Sequence, residues 1–166
     1  MITPGWCRMM ATYNVEMNRR FYTAAARLPD ETRRQAAGAF FGSLHGTLCH
    51  LVWADMAWMG RLDGGAPPPV AIAQSASMIG DFAEMHATRT ALDARIARWT
   101  EGLDEAALSG DLHWYSGSAG RDMVRPMPLV VTHMFLHQTH HRGQAHALLT
   151  RFGEDTGATD LPFVLD

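Results

Sequence analysis

Apolar side chains recur at Met10, Tyr13, Met17, Phe21, Ala24 and Leu28, three and four residues apart, and so line one face of a helix that Leu28-Pro29-Asp30 ends. A second helix is expected from about Thr32 to Leu62. Gly64-Gly65 and then Pro67-Pro68-Pro69 stop it, because proline lacks the N–H donor and disfavours helical backbone in the residue before it. The third stripe runs through Met78, Phe82, Met85, Leu92, Ile96, Trp99 and Leu103, with Arg89 where an apolar side chain is expected. Arg89 therefore either faces a polar cavity or snorkels to solvent. Residues 111–126 break the helical period and read as a loop or short hairpin, with Gly117 and Gly120 between Trp114-Tyr115 and Met123-Val124. A fourth helix starts near Pro126 or Pro128, where proline suits a first turn, and runs to Gly153. The tail from Glu154 to Asp166 reads as irregular. The pattern predicts an all-α, four-helix bundle in a single domain over 1–166, with one long crossover between the third and fourth helices.

Composition narrows the function classes. The formal net charge of -3 leaves no basic footprint for a nucleic-acid backbone. Cys7 and Cys49 are too few for a secreted disulfide scaffold, so a reducing cytoplasm is expected. There is no basic segment leading into an apolar one at the start, and no apolar run long enough to span a bilayer, so no membrane association is expected. Eleven methionines read as core packing, whereas nine histidines in 166 residues call for a residue-by-residue reading.

Side chains four apart on a helix share a face, with Cβ atoms about 5–6 Å apart. His137 and His141 meet that condition, on a stripe that also carries Val130, Met134, Gln144 and Leu148 and should point into the bundle. Two imidazoles buried side by side need partners for their nitrogens. A divalent cation bound to the neutral rings provides them, and separate hydrogen bonds are the competing reading. An open metal site uses three protein ligands, so another helix has to supply one. His50 is the best candidate: Ser43, Gly46, Thr47, Ala54 and Ala57 on its face are small and leave room beside the ring. His45 lies about 140° round the helix from His50, and Cys49 about 100° from it, so neither shares the site. His133, one turn before His137, is a candidate for the substrate pocket with Arg89 and Met134. His86, His113, His140 and His146 have no supporting spacing.

The run from His137 to His146, containing His140-His141-Arg142-Gly143-Gln144, resembles the HHRGQ signature of the DinB family of bacterial metal-binding four-helix proteins, the DinB/YfiT-like group. Tyr13-Asn14, the stretch from Leu48 to Asp55, Trp58, Arg61 and Asp160-Leu161 extend the match over nearly the whole chain. The resemblance implies an up-down-down-up bundle. It also implies a metal held by one histidine of the second helix and two of the fourth, which map onto His50, His137 and His141. Homodimers are common among members. Some relatives are thiol-dependent enzymes, and the family's damage-inducible name describes regulation.

These readings predict one divalent transition metal, zinc or nickel ahead of the rest, and a small-molecule substrate. The leading reaction is transfer to or from a low-molecular-weight thiol activated at the metal. Hydrolysis is the alternative, and a metal-binding or stress-response module without turnover is the reading from another class. Arg89 or Arg142 is a candidate anchor for a substrate carboxylate, although Arg142 is as well placed for structural pairing.

Overall fold

The computed structural model describes residues 2–165; Met1 and Asp166 lie outside that range. Helix α1 (Pro4–Arg27) begins earlier than its stripe suggests because the Thr3 hydroxyl accepts from the Trp6 amide, with Pro4 in the first turn. It buries Ala11, Met17, Phe21 and Tyr22, but also the polar Asn14 and Asn18. Helix α2 (Asp30–Arg34) is a single turn.

The expected second helix is therefore divided. Backbone at Gly38 and Gly42 takes positive φ, an isolated bridge joins Ala39 to Gly42, and Ser43 then caps a new helix, α3 (Leu44–Leu62), through the Gly46 amide. Composition alone does not expose this break. Its effect is to bring Phe41 back over α3, close enough that Gly46 has no room for a Cβ beside the Phe41 carbonyl. The triple-proline loop leads to a 3₁₀ turn, η1 (Ile72–Ser77), that packs on α3. Helix α4 (Phe82–Glu101) starts one turn later than Met78 because Asp81 caps it.

Strands β1 (Asp111–Ser116) and β2 (Arg121–Pro126) form an antiparallel hairpin in which Trp114 pairs with Met123. The fold is thus mostly helical rather than all-α, and the connection between α4 and the next helix carries a two-stranded sheet. Helix α5 (Met127–Arg151) follows directly, and the tail expected to be irregular contains a short helix, α6 (Leu161–Val164). Helices α1, α3, α4 and α5 make the bundle: α1 packs mainly on α4, and α3 mainly on α5. No described helix is long and apolar enough to cross a membrane.

A buried polar layer crosses this core. Arg89, 2 % exposed, pairs with Asp55 at 2.6 Å and with Asp93 at 2.7 Å, and Asn18 donates to Asp93 at 2.9 Å. Arg142 is buried nearby, over the Tyr13 ring and bonded to the Thr139 hydroxyl. Charges in such a place persist only when paired.

Candidate metal centre

Helix α3 presents His50 to α5, which presents His137 and His141 one turn apart. One nitrogen from each ring lies within 4.8 Å of the other two. Which nitrogen is settled by the partners of the others. The Ser75 hydroxyl lies 2.9 Å from His50 Nδ1, and Gln144 Oε1 lies 2.8 Å from His141 Nδ1. Gln144 Oε1 can only accept, so His141 Nδ1 carries the proton. With Nδ1 engaged in both rings, the Nε2 atoms are the ones turned to the common centre; at His141 the Nε2 lone pair is free, and at His50 it is free when the Ser75 hydroxyl accepts. His50 Nε2 is 3.4 Å from His137 Nε2. Ligands bonded to zinc at about 2.05 Å in a tetrahedron sit about 3.35 Å apart, so this pair already has the spacing of two metal ligands.

The rings are also held in the right charge state. Burial lowers the pKa of His50 to about 4, assisted by repulsion from His141. Burial lowers His137 to about 3, with further repulsion from His141, His50, His133 and His140. His141 is lowered as well, chiefly by burial and against the opposing effect of its hydrogen bond to Gln144. At neutral pH all three are neutral donors. Phe41 stacks on His50 with ring centroids 3.8 Å apart and covers one side of the cluster.

The other side opens into a cavity of about 230 Å³ to which His50 and His137 contribute. His133 lies at this cavity, its pKa lowered by burial, and stacks edge-on against Trp58. The structure does not bring the other two expected pocket residues there. Met134 is wholly buried in the apolar core, and Arg89 is held by Asp55 and Asp93 in the polar layer. Arg89 thus does not snorkel and does not reach this cavity; with Asn18 and Asp93 it lines a separate hollow of about 430 Å³ between α1 and α4, and Arg142 is taken up structurally. His45 bonds the Ile79 carbonyl, His146 meets the Thr156 hydroxyl, and His86 stacks on Tyr22, all away from the cluster. Cys49 is buried and accepts from the Ile79 amide, and burial raises its thiol pKa.

Three contributors were missed in the sequence. Ser75 comes from a 3₁₀ turn with no period that predicts facing, and Phe41 from the stretch expected to be helical, whose break before Ser43 is what lays it on His50. Arg61 was legible: residues 50, 54, 57, 58 and 61 fall on one face of a helix, and all of them line the cavity.

The DinB family model matches residues 1–166. Among solved structures, the chain resembles YfiT from Bacillus subtilis, described as a probable metal-dependent hydrolase with an unusual four-helix bundle topology. The TM-score is 0.66 at 14% identity, covering 93% of this chain and 92% of that one. No curated protein matches the sequence.

Proposed function

The chain belongs to the DinB family, and from that premise we propose that it is a divalent-metal-dependent enzyme acting on a small molecule in the cavity beside His50 and His137. The observation that carries this reading is the orientation of the cluster: oxygen partners at Nδ1 of His50 and His141 leave their Nε2 atoms for the centre that His137 shares. The residues fit the group. They are three neutral donors of the type zinc and nickel accept, one pair already stands at ligand spacing, and the cavity supplies open space on one side. A divalent cation there supplies Lewis acidity that makes a thiol or water acidic near neutral pH.

The protein's own side chains set the rest. Ser75 and Gln144 fix the rings, Phe41 shields one side, and His133 is neutral and positioned to take up a proton at the cavity. A low-molecular-weight thiol is the first choice of nucleophile. Among the described residues no carboxylate lines the cavity to act as a base, and a thiol starts about seven pKa units more acidic than water, so it asks less of the metal and of a base. Hydrolysis is the second reading. The base-competent His133 favours it, as does the likeness to a fold neighbour described as a probable metal-dependent hydrolase. The expected up-down-down-up helix order belongs to the same reading, supported by the packing of α1 on α4 and of α3 on α5.

Elemental analysis of untagged protein should find about one equivalent of transition metal, and His137→Ala should lose it. The loaded protein should then consume either a thiol with monochlorobimane or an ester. Metal far below one equivalent after reconstitution would overturn the proposal. Full loading with no turnover in either assay would leave a binding module in its place.

A further inference from the structure

Arg61 stands out as a cation without a counter-ion. It is half-buried at the cavity, its guanidinium 4.5 Å from the Trp58 ring centre and 5.6 Å from that of Trp114. Among the described residues it forms no ion pair and no hydrogen bond, and desolvation alone perturbs it. The nearest acid in sequence, Asp63, is already engaged by Arg95 through contacts of 2.6 and 2.8 Å. An arginine stripped of part of its water by two indole rings, with its fork of donors unused, is an incomplete binding site.

The surroundings define what would complete it. The cavity has no acidic lining among the described residues, and its walls are Trp53, Trp58 and Trp114, with Ser116 and Ser118 of the hairpin as hydroxyl donors and acceptors. The three imidazoles are neutral and bring no negative charge either. A second hollow of about 300 Å³ adjoins it, sharing Trp58, Trp114 and His133, so space for an extended molecule continues under the hairpin. Arg61 lies eleven residues after His50 on α3, hence about 20° round the helix from it and about 16 Å along it, and a side chain on a helix leans back toward the N-terminus. A ligand gripped at Arg61 therefore reaches toward the histidines.

We propose that Arg61 is the specificity-determining residue of this cavity, holding the carboxylate of an organic acid whose apolar or aromatic body lies among Trp53, Trp58 and Trp114 while its other end meets the histidine cluster. A carboxylate is preferred to a phosphate dianion because among the described residues Arg61 is the sole permanent cation lining the first hollow, and Arg125, which lines the adjoining one, is exposed and donates to the Val124 carbonyl. This deepens the enzyme reading above by naming its substrate class, and it rests on that reading for the reaction alone.

The test is binding, measured by tryptophan fluorescence and calorimetry on the full chain, metal-free and zinc-loaded, with 3-phenylpropanoate and its uncharged amide. The metal-free protein should bind the acid about tenfold more tightly than the amide. Arg61→Gln should abolish the preference, and Arg61→Lys should keep part of it. Should Arg61→Gln fail to fold, salt decides: Arg61 is half-buried and reached by solvent, so a wild-type preference that falls severalfold in 0.5 M NaCl, where the Debye length is about 4 Å, supports the site, and a preference unmoved by salt overturns it. Equal binding of acid and amide by the wild type, or a preference surviving in folded Arg61→Gln, also overturns it. Because the metal-free arm stands alone, a protein that discriminates yet takes up no metal keeps the anion site and loses the metal reading. A protein that takes up metal and shows parity does the reverse.

Discussion

Replacing Asp55 by Asn tests whether the buried polar layer of the bundle is held by charge balance. Asp55 is 1 % exposed, and its Oδ2 accepts from Arg89 at 2.6 Å. The layer holds two buried guanidiniums, Arg89 and Arg142, against two carboxylates, Asp55 and Asp93, and Asp55 is one of the charges that stabilises the Arg142 cation. Asparagine keeps the shape and an acceptor for Arg89 but leaves one positive charge uncompensated. Removing one partner of a buried pair costs about 3–5 kcal/mol, and the retained amide acceptor places this variant near the lower figure. For a chain of this size each kcal/mol moves Tm by about 2–4 °C, so a fall of roughly 6–12 °C is expected. Urea unfolding of metal-free protein, followed by far-ultraviolet circular dichroism, should show a lower midpoint with unchanged slope. The site histidines do not touch Asp55 in this network, so the folded variant should still take up metal with wild-type stoichiometry. A loss below about 1 kcal/mol would refute the charge-balance argument.

Acid should destabilise the metal-free protein in a defined window. His50 and His137 titrate near 4 and 3 when folded and near 6.5 when unfolded, so between those values the unfolded chain holds more protons. Stability present above about pH 6.5 is then lost as pH falls toward 4, by about 2–3 kcal/mol per pH unit, and zinc should move the acid limb lower. Stability independent of pH from 6.5 to 4.5 in urea titrations would contradict this. Ser75→Ala removes the oxygen that orients His50 and should weaken metal binding about 10–100-fold, read by competition with a chromophoric chelator, and the unpartnered Nδ1 should cost about 1–3 kcal/mol of stability. Unchanged affinity would mean that α3 alone orients the ring.

Local periodicity determined much of this protein from the sequence. The four long helices, the break at Pro29, the proline-rich stop after Leu62 and the shared face of His137 and His141 all follow from spacing within one segment, because helix geometry is a property of neighbouring residues. His50 was legible through its small-residue face, and Arg61 would have been by the same projection. Other features depended on segments distant in the chain. The break between α2 and α3 looks like helix-compatible sequence until the positive φ of Gly38 and Gly42 turns the chain and lays Phe41 on His50. Ser75 reaches His50 from a 3₁₀ turn 25 residues away, and Arg89 found its carboxylate on another helix, Asp55 on α3. An isolated stripe with one charged gap is equally consistent with a cavity, a snorkelling side chain or a buried pair. Burial removes water as the alternative partner, and only the packing of α3 on α4 shows which group replaces it.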